Sequence, residues 1–230
     1  MLGHLGKGSA YHSGVWRPVL VLVALFAAGC SQVLPAPPPP TPTPVQPDIR
    51  PLPGRGISIE GHGSAQTDDI SPDYGGTLSV GIAVVTLTHS GHSSFIVTAL
   101  QGGQAEVLTR ALGPYRGQRP LVVMGDLAFD VTADGDWTVK VQPMSSGGVA
   151  PFSGSGDQVS AYFTPPRSSL WSVSHDGPTE FVVYAHCVGG SVLVSEANGP
   201  VQEQQQLTFA RGPCFWEVRA DGAWSLKPAP

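Results

Sequence analysis

Between residues 55 and 230 the sequence states one pattern twice, and that duplication limits what the chain can fold into more than any other feature. His89-Ser-Gly91 followed by Phe95 returns as His175-Asp-Gly177 followed by Phe181, and Gly113-Pro114 returns as Gly199-Pro200. One inserted residue then shifts the frame. Gly125 matches Gly212, Phe129-Asp-Val131 matches Trp216-Glu-Val218, and Ala133-Asp-Gly-Asp-Trp137 matches Ala220-Asp-Gly-Ala-Trp224. The offset is 86 or 87 residues, whereas the units of a solenoid repeat every ~20–50. Each copy is therefore expected to be a domain with its own core, at 55–145 and 150–230.

Both copies read as strands. Leu127-Ala-Phe-Asp-Val131 and Trp137-Thr-Val-Lys-Val141 place large apolar side chains on alternate positions, as does Cys214-Phe-Trp-Glu-Val218, which is the period of a strand with one buried face. Leu78 to Thr88, Phe95 to Leu100, Trp171 to His175 and Phe181 to Val188 are rich in β-branched or aromatic residues and bounded by glycine. Asp134-Gly135 and Asp221-Gly222 fall between runs, and Asp-Gly suits a type I′ turn. These turns predict a hairpin at the end of each copy. The sum is an all-β protein of two tandem β-sandwich, jelly-roll-like modules, with six or seven strands in each. Equivalent core positions follow from the matches: Phe95 with Phe181, Phe129 with Trp216, Trp137 with Trp224. Trp171, Tyr74 and Tyr115 have no equivalents, so any aromatic exposed for binding is expected among them.

Two different segments precede the repeats. Lys7 and Arg17 give residues 1–29 a positive, acid-free character, and the apolar run Val19 to Ala28 is followed by Gly29 and Cys30. That run is about half the ~20 residues of a membrane-spanning helix. It resembles the lipobox of bacterial lipoprotein signal peptides. The resemblance implies cleavage before Cys30, acylation of its thiol and attachment to a cell or outer membrane from the extracytoplasmic side. An ordinary cleaved secretory signal is the alternative. Residues 30–54 hold Pro35, Pro37 to Pro40, Pro42, Pro44, Pro47, Pro51 and Pro53. From Pro35 to Pro53 such a tract favours polyproline II at ~3.1 Å per residue, a stalk of about 60 Å.

Loss of Lys7 and Arg17 with the signal leaves ten basic residues against 17 acidic ones, a formal charge of −7. A surface of that sign has little with which to neutralise phosphates, which excludes nucleic acid as a partner. Cys187 lies in phase with the inward-facing Phe181, Val183 and Ala185, and Cys214 with Trp216 and Val218. An exported chain favours a disulfide between them, worth ~3–4 kcal/mol in the chain-entropy model. The first copy carries Gln101 and Leu127 at those positions. His62, His89, His92, His175 and His186 are the metal or proton-transfer candidates, but no spacing supplies the three or four ligands zinc needs. His89 and His175 are better read as holding a turn by a hydrogen bond. Asp68, Asp69 and Asp73 form an acidic loop that reads as solvated rather than as a Ca²⁺ site.

No metal, cofactor or catalytic residue is therefore assigned. The expected role is a non-enzymatic one in the cell envelope, binding a protein, glycan or small ligand. One alternative is an extracytoplasmic enzyme, which a pocket bringing a histidine beside a carboxylate and a serine would favour. The other is an antigen-like surface protein with no defined ligand. The anchor itself is testable: Cys30→Ser is expected to abolish palmitate labelling and move the protein from membranes to the soluble extracytoplasmic fraction. Equal labelling of both forms would remove the lipid assignment.

Overall fold

Alternating side chains become strands throughout the computed structural model, which describes residues 56–71, 81–147, 151–210 and 212–229. The signal segment, Cys30, the proline-rich tract, Asp73 and Tyr74 lie outside the described residues. No helix occurs among those described. Eight strands lie before residue 144: β1 (Ile57–His62), β2 (Ala65–Gln66), β3 (Gly81–His89), β4 (Ser94–Gln101), β5 (Gln104–Leu112), β6 (Tyr115–Val123), β7 (Ala128–Thr132) and β8 (Asp136–Pro143). Eight follow: β9 (Phe152–Ser155), β10 (Gln158–Val159), β11 (Ser168–His175), β12 (Glu180–Cys187), β13 (Gly190–Asn198), β14 (Val201–Thr208), β15 (Cys214–Ala220) and β16 (Ala223–Pro228). They make four antiparallel four-stranded sheets of a sandwich-like all-β fold, in the orders β1-β8-β3-β6, β2-β7-β4-β5, β14-β11-β16-β9 and β10-β15-β12-β13. Adding eight to each strand number of the first two sheets reproduces the other two. The count per half is eight, above the six or seven expected, because the short strands β2 and β10 carry no apolar period.

Each half closes around its own apolar side chains. Phe95, Phe129, Trp137, Val85, Leu87 and Leu121 are buried together in the first, and Phe181, Trp216, Trp224, Trp171, Val173 and Leu226 in the second. The equivalent aromatic pairs expected from the sequence are thus all buried. Trp171 is buried too, which corrects the expectation that it could be an exposed binding aromatic. Trp137 and Trp224 also fasten the first strand of their half, their indole N–H donating to the carbonyls of Gly63 and Gly156 at 2.8 Å in both cases.

The Asp-Gly turns do not close hairpins. β7 pairs with β2 and β4, β8 with β1 and β3, so the turn carries the chain from one sheet to the facing one, and β15 and β16 are separated likewise. The reason is what the two residues touch. Asp134 Oδ2 accepts the His92 and Ser93 amides, both at 3.0 Å, from the loop that crosses the same gap between β3 and β4. A Cβ on Gly135 would sit 2.6 Å from Gly91 N, and one on Gly222 would collide with Gly177. Glycine serves here for close approach of two backbones, without the positive φ of a type I′ turn. His89 completes the closure. Its Nδ1–H donates to Gly113 O at 2.9 Å, its ring stacks on Phe95 at 4.6 Å, and Nε2 lies 3.2 Å from Asp134 Oδ1, within ion-pair range but out of line for a hydrogen bond. His175, Gly199, Phe181 and Asp221 repeat this arrangement. Gly113 and Gly199 accept that bond at φ of 76° and 115°, a conformation that favours glycine. The turn-holding role expected of the two histidines is present.

Cys187 and Cys214 are bonded, as direct partners of β12 and β15 with Cα atoms 4.1 Å apart. In the first half Gln101 does related work, its side chain donating to Val122 O at 2.6 Å and accepting from Met124 N at 3.1 Å. Truncating Trp137 to alanine is expected to cost about 3–5 kcal/mol through the cavity left, and Gly135→Ala about 1–3 kcal/mol through overlap with Gly91. Urea unfolding midpoints measure both. A Gly135→Ala protein as stable as wild type would mean that the two crossing loops part freely.

Candidate functional site

The halves meet along β6 and β10. Gln118 N donates to Asp157 O at 2.9 Å, and Val159 N to Gln118 Oε1 at 3.2 Å. Asp157, in the turn before β10, gathers the contact: Oδ2 accepts from Tyr115 Oη at 2.6 Å and pairs with Arg119 Nη2 at 2.8 Å, while Oδ1 accepts from Ala220 N at 3.0 Å. Tyr115 is therefore a joint residue rather than a free binding platform, and burial, ahead of neighbouring charges, pushes its hydroxyl well above the ordinary tyrosine range. Beside this knot Ile82, Met144, Val159, Tyr162 and Phe215 bury one another, with Val84 and Val122 against them.

A cleft of about 480 Å³ opens next to the junction, between β5 and β6 on one side and β12, β13 and β15 on the other. Ile82, Val107, Leu108, Pro120, Val122 and Phe215 give it apolar walls, and Glu106, Arg119, His186, Ser191, Glu217 and Arg219 its polar groups. The alternation of β12 and β15 puts their core residues on one face and His186, Phe215 and Glu217 on the other. His186 lies opposite Ser191 on β13 and Phe215 on β15. Its ring stacks on Phe215 at 4.8 Å. Nδ1 is 2.6 Å from Ser191 Oγ and Nε2 is 2.8 Å from Glu217 Oε2. Arg219 grips the other Glu217 oxygen through Nε at 2.9 Å and Nη2 at 2.8 Å.

The charges explain the protonation pattern. Burial pushes the Glu217 carboxyl up, yet the His186 hydrogen bond and the Arg219 guanidinium outweigh it and hold it below the usual value. A carboxylate can only accept, so Nε2 of His186 carries a hydrogen, and in the neutral imidazole Nδ1 is left to accept the Ser191 hydroxyl. Arg219 is pulled down by its own burial and raised by more through Glu217. Glu106 stands apart. Partial burial in the wall, then the Glu217 charge, pushes it up against a smaller pull from Arg219, and among the described residues it has no ion-pair partner although it is open to solvent.

The other sequence candidates do not join this site. His62 pairs with Asp136 at 2.8 Å on the surface, His92 is exposed, and Asp68 and Asp69 are exposed loop residues. Among the described residues no group of three His, Cys, Asp or Glu side chains could hold a metal. Val188, Val192 and Leu193 are exposed on the β12–β13 hairpin, and Val107 on β5. In the sequence His186 stands out only as one of five candidate histidines, and Ser191, Glu217, Arg219, Glu106 and Arg119 were missed. A signal was present. At the matching positions of the first half stand Leu100 for His186, Ala105 for Ser191 and Thr132 for Arg219, while Asp130 keeps the carboxylate of Glu217, so the histidine, serine and arginine belong to one copy alone. No family model and no curated protein matches the sequence.

Glu217 links this array to stability. Its depressed value in the folded state adds stability that is complete above the unfolded carboxylate range and is lost as pH falls through the lower folded value. At neutral pH Glu217→Gln is expected to cost about 1.5–3 kcal/mol, the worth of hydrogen bonds to a charged group. The deficit should shrink on acidification. Chemical unfolding of both proteins across that range checks it, and a deficit independent of pH would show that the charge on Glu217 does not matter.

Proposed function

We propose that the chain is a lipoprotein held at the extracytoplasmic face of a membrane through Cys30, its tandem β-sandwich modules, 55–145 and 150–230, carried on the proline-rich stalk of 30–54. The strand orders β1-β8-β3-β6 and β2-β7-β4-β5, with their repetition eight strands later, support the reading of each module as a jelly roll arisen by duplication. Its role on this reading is to bind a ligand or a segment of an envelope protein or glycan in the cleft between the modules. The observation that carries it is the cleft's composition: one wall comes from each module, and the second-module wall carries His186, Ser191 and Arg219 where the first copy has Leu100, Ala105 and Thr132. A pocket of this size with apolar walls and few polar groups is the usual form of a binding site. No cofactor is part of this reading.

A second reading, an extracytoplasmic enzyme working in the same cleft, is favoured by the contiguous Ser191, His186 and Glu217. Binding is tested by nuclear magnetic resonance on the chain from Ser31, titrated with envelope extracts and glycan fragments. Shifts at Val107, Leu108, Val122 and Ser191 are expected. Shifts confined to surfaces away from the cleft would overturn the site.

A further inference from the structure

Resting on the second reading above, we propose that the cleft hydrolyses small uncharged carboxylic esters, with Ser191 as nucleophile, His186 as its base and Glu217 as a positioning residue. The array is built by the β12–β13 hairpin. Cys187 pairs with Gly190 across a two-residue turn, and the next pair inward is His186 with Ser191. Pairs alternate between wide and narrow along an antiparallel ladder, so the pair after the hydrogen-bonded closing one brings its side chains together, as the 2.6 Å separation of Ser191 Oγ and His186 Nδ1 records. Phe215 fixes the plane of the imidazole by stacking, Glu217 fixes its tautomer by accepting from Nε2, and Arg219 fixes Glu217. A bare ring nitrogen therefore faces an exposed hydroxyl at the mouth of a cleft, with a buried carboxylate behind the ring to balance the charge that appears when the ring takes a proton.

The reaction balances with water as the sole co-reactant. Ser191 Oγ forms a bond to the ester carbonyl carbon while its proton passes to His186 Nδ1. The bond from that carbon to the alkoxy oxygen breaks, and the alcohol leaves with the proton. Water then attacks the acyl-serine, gives a proton to Nδ1, and releases the acid as Ser191 recovers its hydrogen.

The substrate class follows from what the walls can hold. Ile82, Val107, Leu108, Pro120, Val122 and Phe215 suit a short aliphatic acyl group. Both arginines at the cleft have their charge balanced, Arg119 by Asp157 and Arg219 by Glu217, so neither brings an uncompensated positive charge to a substrate anion. The unpaired Glu106 repels one. Esters bearing a carboxylate or phosphate are thereby disfavoured.

The test uses the full lipidated protein in detergent, with a fluorophosphonate probe and 4-nitrophenyl butyrate. Probe adduct on the Ser191 peptide and butyrate turnover are expected, both lost in Ser191→Ala with its melting temperature unchanged, since the residue is exposed. His186→Ala should lose at least ~100-fold in rate, and Glu217→Gln a comparable factor in kcat with KM unchanged, as a misplaced base predicts. A 4-nitrophenyl ester of succinic acid should react at least ~10-fold more slowly than the butyrate, because its charge meets Glu106, and Glu106→Gln should narrow that gap. Labelling of Ser191 without ester turnover overturns the substrate class and leaves the enzyme reading standing. No labelling and no turnover overturns both. Turnover that persists in Ser191→Ala, or a charged ester preferred over the butyrate, overturns the assignment of the site.

Discussion

One largely buried carboxylate holds the two halves in register. Asp157 takes a phenol and a guanidinium from β6 on one oxygen and a backbone amide from the end of β15 on the other, while its own carbonyl accepts from Gln118. Removing one partner from a buried ion pair costs about 3–5 kcal/mol, because the charge left behind is no longer compensated. Apolar contact alone would be a looser joint, since the small cluster around Met144 and Phe215 has no directional demand. The hydrogen bonds give the junction one geometry. Gly117 belongs to the same constraint: a side chain there would collide with the Tyr115 ring that reaches across and approach the Asp157 Cβ to 2.9 Å. The cleft exists because this joint sets β5 and β6 at a fixed distance from β12, β13 and β15.

Within each half a different constraint operates. The sandwich closes where two sheet-crossing loops touch, and the touching atoms are glycine backbones flanked by a histidine and an aspartate. Asp134 and Asp221 are held below the usual carboxylate range, the first mainly by the His92 amide and the second mainly by the Thr179 hydroxyl. Both carboxylates are therefore charged at neutral pH and organise the loop opposite through its own amides. The same residues appear in both halves because the same geometric problem appears twice. Residues that solve no such problem were free to differ, and His186, Ser191 and Arg219 are where they do.

The array of these three with Glu217 combines two roles that pull in different directions. Burying Glu217 costs solvation, and Arg219 with His186 offsets it. The same two bonds leave His186 with its hydrogen on the nitrogen away from Ser191. A purely structural ion pair needs no exposed hydroxyl on the far side of the imidazole, nor an apolar cleft in front of it.

Much of the fold was legible in the chain. The period of two in residues such as Phe129 and Val131, or Val139 and Val141, follows from strand geometry and needs no tertiary information, and the matched aromatics had to be core because both copies kept their size. Phase placed Cys187 and Cys214 inward on their strands, so their bond was readable as well. The Asp-Gly turns misled because a turn motif records local φ preference, whereas Asp134 and Gly135 are there for contacts with residues 91–93, more than 40 positions away. β2 and β10 escaped notice because two-residue strands have no period. The sequence by itself determined an all-β duplication, its core positions and the inward-facing cysteine pair, since those depend on local alternation and on matching residue size. Only the tertiary structure decided which sheet each strand joins, that the halves share a joint at Asp157, and that His186, Ser191 and Glu217 converge on a cleft, because strand pairing brings together groups that have no relation along the chain.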